Sequence, residues 1–112
     1  MSIFRRLTAA TVFAVVTTAA CAGAAAADPE REAAFLDEVR AAVPVFSPFI
    51  DQRPELLVRD GYIVCDAISQ GASMEEIATV FERNINKNGR GAIVVSPAEA
   101  REYVDAAARN LC

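Results

Sequence analysis

The sequence predicts an all-α protein: a small four-helix orthogonal bundle with one disulfide, preceded by a cleaved signal peptide. Three observations support this fold class. Apolar residues recur at helical spacing in four segments of the chain. Each of these segments begins at a proline or at a side chain that caps helices well. Two cysteines follow the export segment, and residues 28–112 suffice for one small domain.

The first 27 residues have the pattern of an export signal. Arg5 and Arg6 give a positive start, and an uncharged run follows from residue 7 to residue 27. The run ends in Ala25-Ala26-Ala27, small residues of the kind that signal peptidase accepts, directly before the acidic Asp28. We therefore expect cleavage after Ala27 and a protein that is secreted or held in the cell envelope.

Two alternatives exist for this first segment. The uncharged run is long enough to span a bilayer, but it consists mostly of Ala and Thr, which partition weakly into hydrocarbon. The string Thr18-Ala19-Ala20-Cys21 resembles a bacterial lipoprotein box with acylation at Cys21. It departs from that box at Thr18, where an apolar residue is usual, so the cleaved signal peptide is the favoured interpretation.

The charge balance of the chain is acidic. The whole sequence carries 15 acids against 11 bases, a formal charge of −4. Cleavage removes Arg5 and Arg6, which makes the charge −6. An acidic surface repels phosphate, so we expect neither a nucleic acid nor an anionic membrane surface as a partner. The same charge also keeps an exported protein soluble.

Cysteine usage predicts one structural disulfide. With Cys21 removed, Cys65 and Cys112 can form a single intramolecular pair, and export places them where disulfides persist. A redox motif normally holds its cysteines two residues apart, and a zinc site needs two further ligands in a chain that has no histidine. We therefore predict no metal site and no cofactor.

The first predicted helix begins at Asp28-Pro29. The Asp28 carboxylate can accept a hydrogen bond from a backbone N–H of the first turn. Proline has no N–H, but at the first position of a helix an N–H would have no partner within the helix. Pro44 ends this helix. Its apolar face consists of Phe35, Leu36, Val39, Ala42 and Val43.

A segment rich in proline and phenylalanine follows at 43–54. Its three prolines argue against a long helix, and we expect a loop that buries its apolar side chains. Phe46, Phe49 and Ile50 either fill the core or line the mouth of an apolar binding site. Together with Tyr62 they form the apolar binding surface that the sequence predicts.

The second predicted helix runs from Pro54 to a left-handed stop at Gly71. Its apolar stripe consists of Leu57, Gly61, Val64, Cys65 and Ile68. Gly61 costs about 1 kcal/mol relative to Ala inside a helix. We interpret it as a point where a neighbouring helix approaches closely.

Two capping boxes begin the last two predicted helices, Ser73 with Glu76 and Ser96 with Glu99. Capping explains the acidic pair Glu75-Glu76 better than acid/base catalysis does. The apolar stripes of these helices are Met74, Ile77, Ala78, Phe81 and Ile85, then Ala100, Tyr103, Val104, Ala107 and Leu111.

Residues 84–95 separate these two helices and are predicted to form a mobile loop. They combine turn-forming residues with two bases, and residues 93–95 are expected to rest against the bundle. On the last helix, Asp105 and Arg109 have the spacing of a surface ion pair.

The order of these features resembles a known family. The matching residues are Phe35-Leu36, Gly61, Val64-Cys65, Ile68, Gly71, Ser73, Ala100, Tyr103-Val104, Ala107 and the terminal Leu111-Cys112. They look like the small secreted actinobacterial, chiefly mycobacterial, proteins grouped as domain of unknown function 732. The resemblance implies an exported all-helical domain with Cys65 joined to Cys112. It implies no reaction, and the segments 43–54 and 84–95 depart from the pattern.

These observations favour a binding module over an enzyme. The usual proton shuttle, histidine, is absent from the chain, and about 85 residues can hardly enclose a large catalytic cleft. We expect a monomer that binds an apolar ligand or a cell-envelope protein. Haem held by Tyr62 or Tyr103 is a less favoured variant. The alternative is a structural or stress-related envelope protein without a small ligand.

Overall fold

The computed structural model describes residues 28–88 and 93–112. Within those residues it contains five α-helices, one 3-10 turn and no strand, which confirms the all-α prediction. The elements are α1 (Pro29–Ala42), a 3-10 turn (Pro44–Phe46), α2 (Ser47–Gln52), α3 (Pro54–Ser69), α4 (Met74–Asn88) and α5 (Pro97–Asn110). The predicted signal peptide and Cys21 lie outside the described residues.

The helix starts follow the predicted capping chemistry. Asp28 Oδ1 accepts the N–H two residues later at 2.9 Å, at the start of α1. Ser73 and Glu76 each bond the other's backbone N–H at 3.0 Å, and Ser96 and Glu99 repeat this reciprocal arrangement before α5. Helix α3 ends just before Gly71. This residue adopts a φ of 100°, the left-handed conformation that we predicted would stop the helix.

The segment 43–54 differs from the predicted loop because it is largely helical. It forms the 3-10 turn and the six-residue α2 before α3 begins. Pro44, Pro48 and Pro54 each lie in the first two positions of one of these elements, where a missing backbone N–H has no cost. The prolines thus start three helical elements in succession instead of excluding them.

Two described parts of the segment 84–95, residues 84–88 and 93–95, are more ordered than predicted, and the loop prediction for residues 89–92 lies outside the described residues. Helix α4 continues to Asn88, so the first five residues of the expected mobile loop are helical. The Asn86 side chain then donates to Val95 O at 3.1 Å and accepts from Val95 N at 2.8 Å. Val95 is buried and Ile93 packs against the core, which confirms that this part of the chain rests on the bundle.

Tyr103 of α5 stands at the centre of the core. Its ring stacks on Phe81 of α4 at a centroid distance of 4.2 Å and meets Phe35 and Phe46 edge-on at 5.4 and 5.9 Å. Its hydroxyl donates to Leu57 O of α3 at 2.6 Å. One side chain therefore contacts α1, the 3-10 turn, α3 and α4.

The predicted pairing of Asp105 with Arg109 is wrong. Asp105 accepts from Arg101 at 2.9 Å, one turn earlier on α5. Arg109 pairs instead with Glu38 of α1. This contact is made across two packed helices, and sequence spacing along one helix gives no signal for it.

The predicted disulfide joins Cys65 to Cys112, with 5.3 Å between the Cα atoms. Cys65 lies in the second half of α3, and Cys112 follows α5 at the end of the chain. The bridge spans 47 positions. It attaches α3 to the helix that carries Tyr103.

We predict that Cys65→Ser lowers the melting temperature by well over ten degrees. Closing a 47-residue loop lowers the entropy of the unfolded chain and so raises the free energy of unfolding by about 4 kcal/mol. A change of about 1 kcal/mol shifts the melting temperature of a domain of this size by roughly 4–8 °C. Thermal unfolding followed by circular dichroism measures the change. Cys112→Ser should match Cys65→Ser, and the double variant should lose no more than either. A shift of a degree or two contradicts the prediction.

Gly61 lies where other side chains approach the α3 backbone. A Cβ atom at this position would stand 2.5 Å from Leu111 Cδ1 and 3.1 Å from Phe35 Cζ. The first distance is shorter than real Cβ atoms show, and the second is tighter than ordinary van der Waals contact. The close approach predicted at Gly61 is confirmed, and it is made by side chains of α1 and of the residue that follows α5.

We predict that Gly61→Ala destabilises the domain, although the same change in a helix with no close neighbour stabilises the helix by about 1 kcal/mol. Overpacking against two core side chains costs about 1–3 kcal/mol, which outweighs that gain. Urea unfolding provides the measurement. In a Leu111→Ala background only the milder contact with Phe35 remains, so Gly61→Ala should cost less there than in the otherwise unchanged protein. A stabilising effect in the otherwise unchanged protein would refute this account of Gly61.

Candidate apolar binding cleft

The predicted surface of Phe46, Phe49, Ile50 and Tyr62 does not form one binding site. Phe46 is 1% exposed and Ile50 is 8% exposed, so both lie in the core. Phe49 is half-buried and packs against the same core. Of the two predicted roles for these residues, the structure supports the filling of the core, because helical turns direct them inward.

Tyr62 is half-buried on α3 and donates its hydroxyl proton to Glu32 Oε2 at 2.8 Å. Burial, followed by this hydrogen bond, raises the pKa of Tyr62 to about 12. Tyr103 is fully buried, and its burial raises its pKa well above 10. Both phenol groups are engaged within the domain, so neither is positioned to ligate a haem iron.

An apolar cleft of about 750 Å³ lies between α3 and α4. We call it the α3–α4 cleft. It forms because α4 packs mainly on α5 and touches α3 much less, which leaves space between two consecutive helices. Its principal apolar lining consists of Ile63, Ala67, Ile77, Val80, Phe81 and Ile85. A volume of this size is typical of small-molecule sites.

Two of these lining residues are unusually exposed for their type. Ile63 is 59% exposed and Val80 is 49% exposed, one on each wall of the cleft. Val94, at 60%, is the third large hydrophobic side chain that is exposed in the described part of the chain, and it does not line the cleft. Exposed apolar side chains grouped around one concavity are typical of a binding surface.

Sequence reasoning missed Ile63 and Val80 because it assigned one apolar stripe to each helix. On α3, Asp60, Ile63 and Ala67 recur at offsets of 0, 3 and 7 and form a second face beside the core stripe. On α4, Val80 lies beside Phe81 at the edge of the core-facing residues. Apolar residues outside the core stripe were the signal that could have located the cleft.

Phe81 connects the cleft to the core. Phe81 is one of the residues that line the cleft, and its ring stacks on Tyr103 at an interplanar angle of 5°. The central aromatic cluster therefore holds this part of the cleft lining in place. A lining that is already ordered before the ligand binds lowers the entropic cost of binding.

Two further clefts are less suited to an apolar ligand. One lies between the starts of α4 and α5 and is lined by Glu75, Glu82 and Arg101 among other polar residues. The other is a shallower depression of about 560 Å³ beside Leu36 and Tyr62.

Residues 28–88 and 93–112 contain no group of three or more carboxylate or thiol side chains arranged to hold a metal ion. None of the helices that the structure describes is both long enough and apolar enough to cross a bilayer.

The family model described as "Protein of unknown function (DUF732)" matches residues 31–112. The chain belongs to this family. The match covers all five helices apart from the first two residues of α1. It confirms the resemblance drawn from the cysteine and glycine positions. Comparison with curated proteins and with solved structures found no match.

We predict that the tyrosines of the native DUF732 domain resist ionisation in alkali. Their pKa values are raised, so the folded protein keeps phenol protons above pH 10 that the unfolded chain releases. Stability therefore declines as the pH rises from about 10 towards 12. Near-ultraviolet absorbance against pH, in buffer and in urea, measures this difference, since the chain has two tyrosines and no tryptophan. Tyr62→Phe should make the loss of stability with rising pH smaller. Identical titration curves in buffer and in urea would contradict the prediction that the native tyrosines have raised pKa values.

Proposed function

We propose that this protein is an exported binding module that holds an apolar ligand of small-molecule size in the α3–α4 cleft. The observation that carries the proposal is the cleft of about 750 Å³ with Ile63 and Val80 exposed on its two walls. Leaving both side chains in water is unfavourable, and an apolar ligand between them would remove that cost. The proposal assigns no reaction to the protein.

Two observations support export. The first 27 residues have the pattern of a signal peptide, and the Cys65–Cys112 bridge is of a kind that persists in oxidising compartments. Outside the cytoplasm a free apolar molecule meets water, and a soluble carrier with a cleft shields it. The acidic surface keeps such a carrier in solution.

Titration with Nile red, a neutral apolar dye, tests the proposal. We expect saturable binding to the native domain and binding weaker by at least about fivefold in Ile63→Ser and in Val80→Ser, since each variant removes apolar contact area. Both side chains are exposed, so the substitutions should leave the melting temperature nearly unchanged. Fluorescence of the dye reports the affinity.

Val94→Ser is the matched control, because Val94 is equally exposed and lies outside the cleft lining. It should bind Nile red as the native protein does. If all three variants weaken binding alike, the dye adsorbs to exposed hydrophobic residues and the cleft is not the site. Absence of any dye binding, with bare protein in native mass spectra of the secreted form, would refute the proposed function.

A further inference from the structure

We infer that the ligand of the α3–α4 cleft is a single-chain fatty carboxylate. Its alkyl chain lies between Ile63 and Val80, and its head group meets Arg59. The inference rests on the proposed function and names the class of ligand for the same site. It follows from the distribution of polar groups along the cleft, from the charge at one end and from the length of the helices that form it.

The cleft is apolar at one end and polar at the other. Ala67, Ala72 and Ile77 line the end beside the turn at 70–73. The chain reverses in this turn, so the first turns of α3 and the last turns of α4 both lie towards the far end of the cleft. The polar residues that line the cleft there are Arg59, Asp60, Asn84 and Asn88, beside the apolar Ile85 and Ile93. A ligand that fits has one apolar and one polar end.

Glu76 is the one acidic residue that lines the apolar end among the described residues. Its Oε1 accepts the Ser73 N–H at 3.0 Å, as half of the capping box that begins α4. This hydrogen bond uses only one of the two carboxylate oxygens. A carboxylate at the apolar end repels an anionic head group, which therefore lies towards Arg59 at the far end.

The polar end favours a single negative charge on the ligand. Arg59 is the one cation among the described residues that line the cleft, and its guanidinium is exposed. Its Nη2 stands 3.5 Å from Asp60 Oδ1, a long contact that leaves other guanidinium donors for a carboxylate. Asp60 offsets part of the positive charge. A monoanion therefore fits this end better than a phosphate with two charges.

The length of the cleft suits a medium-chain acid. From Arg59 to Ala67 the wall formed by α3 extends about 12 Å, at 1.5 Å per residue. Ile63 lies midway along this wall. Decanoate is a reasonable probe for this span, because its carboxylate can remain at Arg59 while the methyl end reaches Ala67.

Isothermal titration of the disulfide-bonded domain with decanoate, decanol and decyltrimethylammonium tests the inference. Decanoate should bind most tightly, and each methylene added from octanoate to decanoate should strengthen binding by about fourfold. Arg59→Gln should weaken decanoate binding roughly fivefold and leave decanol binding unchanged. Asp60→Asn should strengthen decanoate binding. Arg83→Gln, which makes the same charge change at an exposed α4 position outside the cleft lining, should have no effect.

The possible outcomes separate this inference from the proposed function. Equal affinities for decanoate and decanol, unaffected by Arg59→Gln, overturn the fatty carboxylate and leave apolar binding intact. Tighter binding of the ammonium compound also overturns it. Binding to phosphatidylglycerol vesicles without binding of decanoate overturns it in favour of a bilayer surface. Failure to bind any of the three probes, together with failure to bind Nile red, refutes both.

Discussion

The hydrogen bond from the Tyr103 hydroxyl to Leu57 O, together with the aromatic contacts of the same ring, is the interaction on which the arrangement of the helices depends. Tyr103 is fully buried, and a buried hydroxyl without a partner costs about 1–3 kcal/mol. The carbonyl of Leu57 supplies that partner at 2.6 Å. The ring also contacts Phe35, Phe46 and Phe81. The need to keep the hydrogen bond and these ring contacts together fixes the position of α5 relative to its neighbours.

The disulfide joins the same two helices, α3 and α5, at a second point. Tyr103 joins α5 to the first turns of α3 through Leu57, while Cys112 joins the end of α5 to the later turns of α3 through Cys65. Gly61 lies between these two attachments and admits Leu111 and Phe35 against the backbone of α3. A domain this small has little buried area, so a covalent closure is a large share of its net stability.

The same packing leaves the α3–α4 cleft open. Helix α5 takes the central position against α1, α3 and α4, so α4 is held mainly by α5 and much less by α3, the helix that precedes it. Phe81 contributes to both regions, because its ring stacks on Tyr103 and the residue also lines the cleft. A ligand bound there would therefore contact a residue of the aromatic core, and Ile63 and Val80 would form walls on helices that pack against that core.

The local structure of this DUF732 protein could largely be read from the chain, because caps, stops and stripes depend on residues close in sequence. The capping boxes and the left-handed Gly71 are of this kind. The disulfide joins residues 47 positions apart and was predictable for another reason, because the predicted cleavage removes Cys21 and leaves only one possible pair. The succession of short helices in segment 43–54 was missed, since proline ends one helix and begins the next with equal ease.

The candidate site was decided by tertiary structure alone. Phe46 and Ile50 resemble a binding surface in sequence, yet the 3-10 turn and α2 direct them into the core. Ile63 and Val80 resemble incidental surface residues, yet they face each other across a cleft. A sequence shows which side chains are apolar and at what period they recur. Which of two apolar faces on a helix is covered depends on where the neighbouring helices pack, and contacts between residues distant in sequence determine that.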